Sequence, residues 1–243
     1  MSMSLKLSSL VIKCLPPSIR NRLGEHLGRP NLRSALLRLK RYGFEPEYFV
    51  DGGANRGDWT RQILEIWPKA SVLCVEPQTE PFASLESLAR EYSGQVAVEQ
   101  VLLGPESAEA IPFEENGTGA SILLSSGADS TRPLRPLDDL SKQHFPRVDY
   151  LKLDLQGFEI EALKGFQTGL QNCQAVQLEL STMPLIPEAP LLHEVVAYMA
   201  EQGFLLWEVE ELIRSPSDGA MWQMDAIFLR QDLPLRTARQ WAD

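Results

Sequence analysis

Tyr48-Phe49-Val50-Asp51-Gly52-Gly53-Ala54-Asn55-Arg56-Gly57 is an apolar run that stops at an acid and breaks into glycines before a helical pattern begins. A strand turning through glycines into a helix marks the place where open α/β sheets bind ligands. Glycine lets the backbone come close to a ligand, and the free N–H groups of a helix start can meet an anion. The spacing is not a dinucleotide fingerprint. G-x-G-x-x-G started at Gly52 meets Ala54 in its second place, and started at Gly53 it meets Asn55 and then Asp58. No Gly-Lys-Ser/Thr follows, so the segment is not a P-loop either. What remains is D-x-G-x-N-x-G.

Outward from this stretch, short apolar runs alternate with helical patterns. Ile63, Leu64, Ile66 and Trp67 recur at helical spacing over Trp59–Trp67, and Pro68 ends the helix. Ser71–Glu76 is a continuous apolar strand closed by an acid, as expected for a strand covered on both faces. Phe82, Leu85, Leu88 and Ala89 mark a second helix, and Val96–Leu103 reads as a third strand. A fourth strand spans Asp149–Asp154, a helix Phe158–Phe166, a fifth strand Ala175–Leu180 and a helix Leu191–Met199. Phe204–Val209 and Trp222–Leu229 are separated by a turn-rich stretch too short for a helix, so they should pair antiparallel. The expected fold is α/β and Rossmann-like: a mainly parallel seven-stranded sheet, closed by an antiparallel C-terminal hairpin, with helices on both faces.

Residues 105–136 break the rhythm. Ala110–Phe113 and Ser121–Leu124 read as two short strands joined by Glu114–Gly119, a surface hairpin or lid followed by a loop.

Charge divides the 243 residues unevenly. The net charge is −10, yet residues 1–41 carry nine Lys/Arg against the single acid Glu25. The acidic remainder argues against a nucleic-acid groove. The basic stretch reads as an N-terminal helical arm over residues 1–31. It could touch an anionic partner or surface, or pack on the acidic body as a solvated amphipathic helix. No apolar run reaches the roughly 18 residues of a membrane span, and the N-terminus does not read as a signal peptide. Cys14, Cys74 and Cys173 are odd in number and not at metal-ligand spacing, which predicts a reduced, cytoplasmic chain.

Further acids fall at strand tips. Glu76 ends the second strand, 25 residues after Asp51, where a carboxylate can accept both hydroxyls of a ribose. Asp154 ends the fourth strand beside the first, facing the same crevice. Glu179 lies near the tip of the fifth. Lys152, inside an apolar strand, needs a partner such as Asp51, Glu159 or Glu179.

These segments resemble the FkbM family of S-adenosylmethionine-dependent methyltransferases. The resemblance rests on FVDGGANRGDWT (49–60), VEPQTEPFASL (75–85), RPLDDL (135–140), DYLKLDLQGFEIEALKG (149–165), QLEL (177–180) and QMDAIFLR (223–230). It covers roughly residues 32–230, and its most specific part is the D-x-Q-G-x-E-x-x-x-L-K-G of Asp154–Gly165. Gly52 departs from the family's D-V-G-A-N opening and should loosen the loop. The resemblance implies a class I methyltransferase domain over residues 32–243, S-adenosylmethionine as cofactor, and O-methylation of a sugar, glycan or natural-product hydroxyl. It places Asp51, Gly53, Asn55 and Gly57 around the methionine and ribose end of the cofactor and Glu76 on the ribose. Asp154, Gln156 and Glu159 line the transfer site, the first two also the cofactor; the adenine contact expected at Leu102 or Leu103 is read from the third strand's end and not from the resemblance.

A sugar hydroxyl is a poor nucleophile that benefits from a nearby base, and Asp154 and then Glu159 are the candidates. His193 falls off the apolar stripe of its helix, and His26 and His144 lie outside any motif. Asp154 and Glu179 could offer oxygen ligands to a divalent metal, but no tight carboxylate cluster marks a metal site, so none is expected. Two other classes stay open, an NAD(P)-dependent oxidoreductase and a catalytically idle cofactor-binding module. Partners beyond a small-molecule or glycan acceptor are not indicated, and homo-oligomerisation is left open.

Overall fold

The computed structural model describes residues 31–234 other than 116 and 129. The arm expected over residues 1–31 lies outside the described residues except for Asn31, as do Cys14 and His26. The first described helix, α1 (Leu32–Arg41), begins where the Asn31 side chain accepts the Ser34 N–H at 2.9 Å. Ala35, Leu36 and Leu39 of α1 are buried, while Arg33 and Arg38 pair with Glu65 and Glu208. This portion of the basic run therefore packs on the acidic body.

The strands are β1 (Tyr48–Gly52), β2 (Ser71–Val75), β3 (Val96–Glu99), β4 (Leu102–Leu103), β5 (Ala108–Phe113), β6 (Ser130–Arg135), β7 (Tyr150–Leu153), β8 (Ala175–Ser181), β9 (Phe204–Arg214) and β10 (Met221–Arg230). The helices after α1 are α2 (Asp58–Ile66), α3 (Thr79–Glu91), α4 (Leu137–His144), α5 (Glu159–Lys164), α6 (Gln167–Leu170) and α7 (Leu192–Glu201). Seven strands form one sheet in the order β3-β2-β1-β7-β8-β10-β9. The first five are parallel, and β10 runs antiparallel to β8 and β9. The parallel sheet and its closing hairpin are those read from the sequence.

Strand alternation sorts the core into two layers. Phe49, Val72, Cys74 and Tyr150 face α1, α2 and α3, meeting Leu36, Ile63, Trp67 and Leu85. Val50, Leu73, Leu151, Val176 and Phe228 face the other way, against α4–α7 through Leu137, Leu163, Phe166 and Met199. Helices thus cover both faces, and the apolar continuity of these strands follows from that double burial.

The structure corrects three expectations. Val96–Leu103 is not one strand. After Glu99 the ladder with β2 stops, because Pro77 has no N–H and the Gln78 N–H donates to the Glu76 carboxylate instead (2.9 Å). Leu102 and Leu103 leave the sheet and pair with β6, in a small sheet ordered β4-β6-β5.

Ser121–Leu124 is not the second strand of a hairpin. Ser121 Oγ accepts the Leu123 N–H at 3.2 Å and donates to the Gln156 carbonyl at 2.8 Å, which starts a 3-10 turn over Ile122–Gly127. The partner of β5 is β6, from the stretch read as a loop. Finally, Gly52 does not loosen the loop. It is the last residue of β1, its carbonyl accepts the Asp154 N–H at 3.0 Å, and a Cβ there would press on Leu153 and Leu103.

The hairpin buries one more polar group. Glu210 faces Asp225 across β9 and β10, and neither of its side-chain oxygens has a hydrogen-bond partner among the described residues. Burial, then the nearby Asp225, Glu211 and Glu208, push its carboxyl up to about 9, so it is neutral at pH 7. Among the described residues no helix is long and apolar enough to cross a membrane.

Candidate active site

The C-terminal ends of the parallel strands share one edge of the sheet, and a cavity of about 400 Å³ opens there. That size falls in the range of roughly 300–1,000 Å³ usual for small-molecule sites. Its walls come from the turns after β1, β2 and β7, from β4, and from the 105–136 stretch through Phe113, Ser121 and Ile122.

The turn after β1 is fixed by a close crossing of two loops. Gly53 has φ +70°, and a Cβ on it would overlap the Asp154 carbonyl oxygen. Only glycine fits, both for conformation and for space. Its N–H donates to the Val75 carbonyl at 2.9 Å. Two residues on, the Asn55 N–H donates to Glu76 Oε2 at 2.8 Å, while Glu76 Oε1 accepts from the Gln78 N–H and, at 3.3 Å, from its side chain. Burial raises the Glu76 carboxyl above its ordinary value, and these hydrogen bonds pull against that rise. The result is a carboxyl locked in orientation at the cavity wall.

Lys152 has the partner its burial demands. Its ammonium lies 3.2 Å from Asp51 Oδ1 and 3.8 Å from Asp154 Oδ2, and donates to the Gly53 carbonyl at 2.8 Å. Burial works against its charge, but Asp51 and Asp154 outweigh it and hold the ammonium well above its usual range. One cation thereby ties the β1 turn to the acid at the tip of β7.

Three residues expected at the site do not reach the cavity. Asp51 is fully buried, and its Oδ2 accepts from Thr60 Oγ1 of α2 at 2.7 Å. Being inside β1, it points with Phe49 toward the helices rather than past the strand end. Gly57, with φ +83°, caps α2, and a Cβ there would crowd Leu85 and Leu88 of α3, so it serves helix packing. Glu159 is buried behind the β7 loop, where its Oε1 accepts the Leu155 and Gly157 N–H groups at 2.8 and 3.2 Å. Burial pushes its carboxyl up to about 7, against those two bonds. It shapes the loop and lies off the cavity wall.

Gly53, Asn55, Glu76, Asp154 and Gln156 do line the cavity together, with Leu102 and Leu103. The Asp154 side chain is 40% exposed and accepts from Gln156 Nε2 at 3.0 Å. Gln156 sits at φ +52°, and its Nε2 also donates to Glu179 Oε2 at 2.8 Å. Gln223 Nε2 donates to the same oxygen at 2.8 Å. Burial, then Asp154, Glu159 and Asp225, push the Glu179 carboxyl up to about 9.

Gln78, Gln223 and Ser121 line the cavity as well; the sequence reading gives none of them a role, although Gln78 and Gln223 fall in the family-like segments 75–85 and 223–230. Gln223 carries a signal all the same, since the antiparallel hairpin sets it against Ser181, two residues beyond Glu179. His144 bonds Glu99 at 2.9 Å and His193 is exposed, and neither lines the cavity. Among the described residues no group of three or more His, Cys, Asp or Glu is arranged to hold a metal ion.

A family model described as the Methyltransferase FkbM domain matches residues 51–206, more than half of the chain. The chain belongs to the FkbM methyltransferase family. It is an S-adenosylmethionine-dependent methyltransferase. A curated relative of this FkbM methyltransferase, the hexuronic acid methyltransferase AglP of Haloferax volcanii, is 25% identical over 173 residues, covering 67% of this chain and 70% of that protein. Among solved structures, the FkbM methyltransferase from Methylobacillus flagellatus KT superposes with a TM-score of 0.52 at 17% identity. The alignment covers 75% of this chain but only 44% of that one, under half its length.

The FkbM cavity suits this cofactor on its own chemistry. The β1 turn, which Gly53 lets pack against the Asp154 carbonyl, lines the cavity with Asn55, and Glu76 can accept from a diol. Val101, Leu102 and Leu103 offer an apolar slot beside them.

Proposed function

We propose that this chain methylates a hydroxyl of a sugar, glycan or natural-product metabolite. The observation that carries the reading is that one cavity joins Gly53, Asn55 and Glu76 to a partly exposed carboxylate, Asp154, at the next strand tip. The curated relative's name, a hexuronic acid methyltransferase, supports a sugar acceptor. When bound, S-adenosylmethionine supplies a methyl group on a positively charged sulfur, open to in-line displacement.

Gly53 and Asn55 hold the methionine and ribose end, Glu76 the ribose hydroxyls, and Leu102 or Leu103 packs on the adenine. Asp51, Gly57 and Glu159 act one step back. They fix the β1 turn, the start of α2 and the β7 loop, and touch neither substrate. Asp154 accepts the proton of the acceptor hydroxyl. Lys152 and Gln156 hold its carboxylate toward the cavity, and alignment of the two reactants there does much of the catalytic work.

The test is transfer from S-adenosylmethionine carrying a ¹³C-labelled methyl group to a panel of sugars and small glycans, read by NMR. The expected product shows the label as an O-methyl ether. Label found on nitrogen or carbon acceptors only would overturn the reading.

A further inference from the structure

The acceptor side of the cavity has a chemical bias that goes beyond a general preference for hydroxyls. No Lys, Arg or His lines the cavity among the described residues. Cations close in sequence or contact to the lining residues are engaged elsewhere, Arg56 after Asn55 by Glu80. Lys152 is used by Gly53 and Asp51, Arg132 by Pro77, Thr79 and Glu115, and Arg214 by the Gly219 carbonyl at the exposed hairpin turn. What faces the space beyond Asp154 is a neutral, polar wall. Gln156 Nε2 bridges Asp154 Oδ1 and Glu179 Oε2, and Gln223 Nε2 donates to the same Glu179 oxygen, which leaves the side-chain carbonyl oxygens of both glutamines and Glu179 Oε1 without partners among the described residues. Ile213 and Ser121 complete that wall.

We propose that this wall selects an uncharged polyhydroxyl acceptor and rejects one that carries a carboxylate or phosphate beside the methylated hydroxyl. The two free glutamine carbonyl oxygens can accept from the hydroxyls of a sugar ring, and the neutral Glu179 carboxyl can donate to one. An acid group there would be desolvated next to Asp154 with no cation to meet it, and juxtaposed like charges are strongly unfavourable. An ammonium group would lose its hydration to a wall on which Glu179 is neutral at pH 7 and Asp154 is already shared with Lys152. The proposal rests on the methyl-transfer reading of this cavity and specifies its acceptor.

The experiment is saturation-transfer NMR on the full chain loaded with S-adenosylhomocysteine. The probes are methyl glycosides of glucose, galactose and mannose, each beside its uronic acid and its 2-amino counterpart. Calorimetry first establishes that S-adenosylhomocysteine binds. Its failure to bind would remove the methyl-transfer reading itself. With the cofactor product bound, at least one neutral glycoside should bind about tenfold or more tightly than its uronic acid, and no less tightly than its amino form. Equal or stronger binding of the uronic acids, a clear preference for the amino sugars, or no binding by any glycoside would each overturn the acceptor proposal while leaving the cofactor site standing. A variant gives an independent reading: Gln223→Arg places a cation on the wall and should shift the preference toward the uronic acid by about tenfold. An unchanged ratio in a folded Gln223→Arg protein would count against the wall as the selector.

Discussion

Lys152→Met should unfold at a temperature roughly 6–20 °C lower than the wild type, the loss expected when one partner of a buried ion pair is removed. Such a removal costs about 3–5 kcal/mol, and about 1 kcal/mol moves the midpoint by roughly 2–4 °C in a chain of this size. The reason is local. Asp51 is fully buried, its Oδ1 has the Lys152 ammonium at 3.2 Å, and no other hydrogen-bond donor among the described residues reaches that oxygen. Met fills the volume but leaves the carboxylate uncompensated. The same ammonium ties down the Gly53 carbonyl, so Lys152→Met should also weaken S-adenosylhomocysteine binding. Adding Asp51→Asn should recover part of the lost stability, because the two changes act on one interaction. A Lys152→Met protein that melts with the wild type would show that the pair does not hold the β1 turn.

Asp154→Asn should lower turnover by about 10²–10⁴-fold, the usual contribution of a positioned proton acceptor. Asn keeps the shape, and its side-chain oxygen can still accept from Gln156 Nε2 as Asp154 does at 3.0 Å. The backbone N–H of residue 154 still donates to the Gly52 carbonyl. S-adenosylhomocysteine should therefore bind with nearly wild-type affinity, which separates loss of chemistry from loss of the site. If Asp154 only oriented the hydroxyl, Asn would serve almost as well and turnover would stay near wild type. Steady-state rates and calorimetry on the same preparation distinguish the two.

Much of the fold is legible in the amino-acid sequence. Strand tips can be read because the apolar runs at β1, β2 and β7 end in acids, and the C-terminal hairpin because the gap between its strands holds only turn residues. Period alone does not say which tip residue enters the cavity. Asp51 and Asp154 look alike in the sequence, yet Asp51 is still within the pleat and turns toward Thr60, whereas Asp154 lies one residue past the end of β7 and faces the opening. Glu159 misleads for a related reason, since its oxygen is absorbed by two backbone N–H groups four and two residues away. The break between β3 and β4 is hidden because Val101, Leu102 and Leu103 are as apolar as the strand before them. What ends the ladder is the bonding of Pro77 and Gln78 on the neighbouring chain segment, a non-local cause that a pass along one stretch does not reveal.

The most direct test of the cofactor site is calorimetric titration of the purified chain with S-adenosylhomocysteine, run beside NAD and repeated on Glu76→Ala. Micromolar binding of S-adenosylhomocysteine is expected, with no heat from NAD. Binding should weaken at least about a hundredfold once the Glu76 carboxyl is gone, because both its hold on the Asn55 turn and its place on the ribose are lost. Undiminished binding by Glu76→Ala, or a preference for NAD, would contradict the assignment of this cavity to S-adenosylmethionine.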